Sequence, residues 1–170
     1  ILLKKDLNNW GLCMSVVRLT TSDLGNPMTQ FSQADIDTRL SVLWFLSKRL
    51  YQTSKTAAPV ALFSQVVQGL IQQVDQLSRE DRIDALREIV AGSNTRLSEA
   101  YSDLNANMKL AFWYRLANNS FLSNLNLEKA VQVRDRGLCD RLLNDLAERD
   151  FNELANFLHR AVSVTGISVA

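Results

Sequence analysis

Apolar residues recur three and four positions apart along most of this chain, the period of a helix with one buried face. Residues 2–18 are largely apolar and read as helix, with Trp10, Leu12 and Val16 as candidate buried positions. Gly25-Asn26-Pro27 reads as a turn. Ser32 followed by Asp35 is a weaker relative of the capping box. Behind it Ile36, Leu40, Leu43, Trp44, Leu50 and Tyr51 mark a helix ending near Ser54. Thr56 can cap the next helix, because Pro59 is tolerated in a first turn. The stripe expected there is Phe63, Val66, Val67, Leu70 and Val74. Gln65, Gln68, Gln72, Gln73 and Gln76 crowd the other faces and read as solvated surface.

Ser78 and Asp81 open a further helix, with Glu80 and Asp81 in the first turn, where the helix dipole favours acids. Ile83, Leu86, Ile89 and Val90 should face inward, and Gly92 should end it. A short helix is expected over 95–104 and another over 107–118, the latter with Leu110, Trp113 and Tyr114 on one side. The polar stretch 118–124 reads as a loop, 127–135 as helix, Gly137 as a break and 138–147 as helix. Phe151, Leu154, Phe157, Leu158, Ala161 and Val162 form the last strong pattern, and 165–170 reads as an extended tail or linker. No internal repeat is evident. The fold class expected is all-α: about eight helices packed as bundles.

Composition narrows this further. At 170 residues the chain has the size of one domain or two small sub-bundles, and a 46% hydrophobic content can fill a core. Six Gly and two Pro are too few for a turn-rich β protein or a disordered chain. A net charge of +1 argues against nucleic-acid binding, which needs a concentrated basic face. No run approaches the ~20 apolar residues of a membrane span. Cys13 and Cys139 could pair once, but they read more readily as two reduced thiols of a cytosolic protein. The chain starts at Ile1 rather than Met, and no targeting follows from it.

Catalytic chemistry is poorly represented. His159 is the only histidine, and the two cysteines lack CxxC spacing, so the common metal sites have no ligand set. No G-x-S-x-G elbow and no phosphate-binding glycine loop occurs. Glu80-Asp81 and Glu148 with Asp150 read as cap and surface charges. An enzyme is not expected, and loss of a turnover on His159→Ala would be needed to argue for one.

Two aromatic clusters remain, Leu43-Trp44-Phe45 and Phe112-Trp113-Tyr114, each on an expected helix. Rings turned inward from both would line an apolar interior, either plain core or the wall of a slot for a long apolar ligand. The blocks Arg39-Leu40-Ser41-Val42-Leu43-Trp44-Phe45, Thr56-Ala57-Ala58-Pro59 and Met108-Lys109-Leu110-Ala111-Phe112-Trp113-Tyr114-Arg115-Leu116, in this order, resemble the N-terminal domain of cyanobacterial orange carotenoid protein. They are equally similar to its stand-alone relatives, the helical carotenoid proteins. Tyr101 also falls where that family has a tyrosine. The resemblance covers about Ser32–Leu116 and continues more weakly to Arg160, leaving 1–30 as a divergent segment of a single domain spanning 1–170.

The resemblance implies two discontinuous four-helix sub-bundles with a ketocarotenoid, of canthaxanthin or echinenone type, held between them. Trp113 falls on the ring-stacking tryptophan. Leu40, Leu43, Trp44, Leu50, Pro59, Leu86, Leu110 and Tyr114 fall on positions that line or neighbour the tunnel. Any bundle would also bury most of these leucines, and Trp44 can equally plug the bundle. Ser47 stands where the family carries its second stacking aromatic. A serine cannot stack, and its hydroxyl is expected to bond the backbone one turn back. Lys48, Arg49 and Arg87 add polarity nearby. Arg160 falls near an arginine that contacts the phycobilisome.

The function implied is non-catalytic: photoprotection by a bound carotenoid that quenches singlet oxygen or phycobilisome excitation. Its setting would be cytoplasmic, at the thylakoid surface, through a phycobilisome or other antenna complex. The alternative is a carotenoid-free domain of the same fold acting as an antenna linker or adaptor. Neither reading assigns an oligomeric state.

Overall fold

Asn26 and Pro27 open a helix rather than a turn. The Asn26 side chain accepts a hydrogen bond from the Met28 N–H at 3.0 Å, and Pro27 occupies the first helical position, where its missing N–H costs nothing. We describe the protein from a computed structural model, which covers residues 26–53, 64–118, 127, 131 and 133–167. Among these, eight helices follow in order: α1 (Pro27–Gln33), α2 (Ile36–Thr53), α3 (Gln65–Asp75), α4 (Arg79–Ala91), α5 (Arg96–Ser102), α6 (Ala106–Asn118), α7 (Arg136–Ala147) and α8 (Phe151–Val164).

Caps set most of these starts. Asp35 accepts from the N–H of Thr38 at 3.0 Å and from its hydroxyl at 2.6 Å, so Asp35 opens α2. Ser32, expected as that cap, lies inside α1 and donates to the Met28 carbonyl. Ser78 caps α4 as expected, and Gly92 ends it in the left-handed region at φ 68°. Asn105, Asp135 and Asp150 cap α6, α7 and α8 by accepting from the N–H three residues on. The Asp135 cap places Gly137 inside the first turn of α7 instead of at a break.

Two groups of helices result. The first and last pairs, α1, α2, α7 and α8, pack together; α3, α4 and α5 pack on one another, with α6 joined through α3. Contacts of α2 with α4 and α6, and of α6 with α8, unite the groups. This is the arrangement of two discontinuous sub-bundles implied by the resemblance. Consecutive helical positions point about 100° apart, so three consecutive buried residues require neighbours on several sides. Phe112, Trp113 and Tyr114 are all buried, as are Leu40 through Trp44. Helices α2 and α6 are therefore the enclosed pair at the centre.

Elsewhere the stripes are narrower. On α3 the buried set is Val67, Leu70, Ile71 and Val74, while Val66 is 61% exposed. Val67, Leu70 and Val74 hold the expected stripe, while Val66 lies off the face that Ile71 completes. On α8, Leu154, Phe157, Leu158, Ala161 and Val162 are buried, and Phe157 meets Phe31 of α1 edge to face at 5.8 Å. Thr165 and Gly166, expected in a tail, are buried. The Thr165 hydroxyl donates to the Ala161 carbonyl at 2.7 Å. Leu127 and Val131 are buried and joined by a backbone bond of helical spacing at 2.9 Å. Trp10, Leu12, Cys13, Val16, Thr56, Phe63 and the 119–126 stretch lie outside the described residues.

Candidate functional site

On α2, Leu40, Leu43, Trp44, Ser47 and Leu50 are all buried. One turn beyond Ser47, Tyr51 meets Tyr114 of α6 edge to face at 5.5 Å. Leu86 of α4, Trp113 and Tyr114 belong to the same continuous core as the α2 residues, and half-buried Leu110 packs against it. Of the ten residues expected to surround a ligand, nine are buried or half-buried on α2, α4 and α6; the tenth, Pro59, lies outside the described residues. Leu110 departs from the one-sided pattern expected of α6, because Phe112 and Lys109 take the buried positions instead.

Trp113 is held from both ends of α5 and α6. It has no exposed surface, and its indole N–H donates to the Tyr101 hydroxyl at 2.9 Å. The Tyr101, Phe112 and Trp113 rings form a closed trio of edge-to-face pairs, with centroids 5.4, 5.5 and 6.3 Å apart. Burial pushes the Tyr101 phenol well above its ordinary value of 10.0, and the bond from Trp113 only partly opposes this. Burial and the neighbouring Tyr51 likewise raise Tyr114. Tyr101 was matched in the sequence but not assigned to the site; its partnership crosses two helices, beyond the reach of any single-helix periodicity.

Lys109 is the unexpected member. Its side chain is buried, its ammonium donates to the Thr165 carbonyl at 3.4 Å, and it lies 5.1 Å from the centre of the Tyr101 ring. Burial holds it below its ordinary value of 10.5. The segment after α8 is thereby tied to the Tyr101–Trp113 pair. Gly166 strengthens the tie: it sits at φ +77°, and a β-carbon there would lie 2.8 Å from Tyr101 Cδ1.

The polar intrusions near the junction have partners. Arg87 of α4 donates to both carboxylate oxygens of Asp37 on α2, at 2.8 and 3.2 Å, and to Asp84 at 2.9 Å. The bond to Asp37 is also the main reason its guanidinium is raised. Arg49 donates to the Ala147 carbonyl at the end of α7, and Lys48 is exposed. Ser47 is the exception. Its hydroxyl was expected to bond the carbonyl one turn back, but among the described residues Oγ is buried with no hydrogen-bond partner. Arg160 is exposed near the end of α8. Among the described residues there is no cluster of His, Cys, Asp and Glu that could hold a metal ion, and no helix long and apolar enough to cross a membrane.

Known proteins resemble this chain in sequence and in fold. A Nostoc protein (strain PCC 7120) described as an orange carotenoid-binding domain-containing protein is 28% identical over 151 residues, 87% of this chain and 86% of its own length. The orange carotenoid-binding protein of Synechocystis (strain PCC 6803) is 27% identical over 52% of this chain, which spans only 28% of that longer protein. Among solved structures, OCP1 of Fremyella diplosiphon superposes with a TM-score of 0.67 at 20% identity, over 82% of this chain and 43% of its own. The red carotenoid protein of Anabaena PCC 7120, solved with canthaxanthin, gives 0.60 at 21% identity over 82% and 94%. These two likenesses speak for the fold alone. The family described as "Orange carotenoid protein, N-terminal" matches residues 18–168, and the chain belongs to that family.

Proposed function

We propose that this protein binds a ketocarotenoid between its two sub-bundles and acts in photoprotection, without catalysing a reaction. The observation that carries the reading is Trp113: fully buried and fixed by Tyr101, on the helix that faces the α2 stripe, in a chain of this family. The residues fit the group. Leu40, Leu43, Leu50 and Leu86 supply aliphatic walls, and Trp44, Trp113 and Tyr114 supply ring faces. Burying a polyene there would be favourable by about 25 cal/mol per Å² of apolar surface. A bound polyene would supply the low-lying excited states that take up energy from singlet oxygen or antenna pigments. The protein's part is to hold it straight, exclude water and present it to a partner. Arg160, exposed on α8, is a docking residue in this reading, and a phycobilisome or other antenna complex is the partner.

The chain produced in carotenoid-making cells should be coloured, and Trp113→Ala should bleach it. A colourless protein from cells rich in canthaxanthin and echinenone would refute the reading.

A second reading is favoured by the Arg87–Asp37 pair, which clamps α4 onto α2 across the junction where the ligand would lie. In it the domain carries no pigment and serves as an antenna linker or adaptor. It requires a colourless protein that co-sediments with an antenna complex; failure to co-sediment would refute it.

A further inference from the structure

The Ser47 hydroxyl is out of place in two respects. It has no exposed surface and no hydrogen-bond partner among the described residues. It also forgoes the bond that a serine within a helix has at hand. Ser32, Ser163 and Thr165 each donate to the carbonyl four residues back, at 2.9, 2.7 and 2.7 Å. Ser47 makes no such bond. A buried donor without an acceptor is costly, and native structures rarely tolerate one unless something outside the chain completes it.

Its position identifies the completing group. Ser47 lies one turn after Trp44 and one turn before Tyr51, whose ring touches Tyr114. The same stripe of α2 therefore carries a ring, a hydroxyl and a ring, and its last ring meets α6. A ligand lying along this stripe passes the hydroxyl. Leu40, Leu43, Trp44 and Leu50 of that stripe are apolar, so the hydroxyl would be the polar contact that such a ligand finds along it.

We propose that Ser47 is a specificity-determining residue: its hydroxyl donates a hydrogen bond to a carbonyl oxygen on the end ring of the carotenoid. The inference rests on the ketocarotenoid reading above and adds the residue that recognises the ring carbonyl. Ser47 has one proton to place, and a ring carbonyl offers lone pairs while bringing no proton of its own. A ring hydroxyl would import a second proton into an apolar site. An unsubstituted ring would leave Ser47 orphaned, and sites built around a hydrogen bond discriminate against ligands that lack the matching group.

The test offers the purified, pigment-free chain equal amounts of canthaxanthin, zeaxanthin and β-carotene and measures what is retained. It also records the infrared carbonyl stretch of bound canthaxanthin. Loss of one neutral hydrogen bond corresponds to about fivefold in affinity. The parent should favour canthaxanthin over β-carotene by at least about that factor, with a lowered carbonyl stretch. Ser47→Ala should lose both while keeping its helical circular dichroism. Ser47→Cys, close in shape but a weaker donor, should fall between. Uptake without discrimination, or a Ser47→Ala protein that keeps the preference and the lowered stretch, overturns this inference alone. A preference for zeaxanthin overturns the carbonyl assignment. A chain that takes up no carotenoid overturns the carotenoid reading and this inference with it.

Discussion

Replacing Tyr101 by phenylalanine removes a single oxygen atom from the centre of the molecule. The ring keeps its place against Phe112, and the loss falls on the indole of Trp113, whose N–H donates to that oxygen at 2.9 Å. Trp113 has no exposed surface, so water cannot replace the acceptor. An orphaned buried donor costs about 1–3 kcal/mol. At about 2–4 °C per kcal/mol for a domain of this size, the melting temperature should fall by about 2–12 °C. Trp113→Phe loses the same bond and also leaves a void, for about 2–4 kcal/mol. The double variant should lose less than the two singles together, by about 1 kcal/mol, because the bond can be broken only once. Urea unfolding of the four proteins, followed by circular dichroism, measures each term. A Tyr101→Phe protein within about 0.5 kcal/mol of the parent, or strictly additive losses, would refute the claim that this bond positions Trp113.

Gly166→Ala should destabilise by at least about 1–2 kcal/mol in a thermal melt, since φ +77° disfavours any β-carbon and Tyr101 Cδ1 lies 2.8 Å from where it would sit. Because Tyr101 is raised in the fold, its contribution is whole below its ordinary 10.0 and is lost as pH climbs beyond; Tyr101→Phe should flatten that alkaline fall in stability. Lys109 is lowered, so the native state sheds its proton before the unfolded chain does. Stability should therefore rise with pH towards the ordinary 10.5, and Lys109→Met should remove that rise in melts followed against pH. Arg87→Ala should cost only about 0.2–1 kcal/mol, less in high salt, because the Arg87 and Asp37 side chains keep 32% and 17% of their surface exposed.

The helices themselves were largely legible. Ser78, Gly92 and the Leu154–Val162 stripe behave as their spacing requires, because capping and amphipathicity are decided within a few neighbouring residues. Where local signals competed, the structure chose. Asn26-Pro27 reads as a turn and Ser32 as a cap, yet Asn26 and Asp35 became the caps, which places Ser32 inside α1. Val66 or Ile71 could complete the α3 stripe; contact with α4, α5 and α6 decided for Ile71.

The candidate site divides along the same line. That Trp44, Trp113 and the leucines around them belong together could be read from the chain, because those residue types at helical spacing are buried in almost any bundle and because the motif blocks carry a family resemblance. Which group bonds which could not. Tyr101 with Trp113, Lys109 with Thr165 and Arg87 with Asp37 each join different structural elements, and a pairing between elements exists only after the helices have packed. Ser47 marks the same boundary. Its helix offers the hydroxyl a carbonyl one turn back, and the sequence alone would give it that partner. Only the packed structure buries the oxygen without that partner among the described residues.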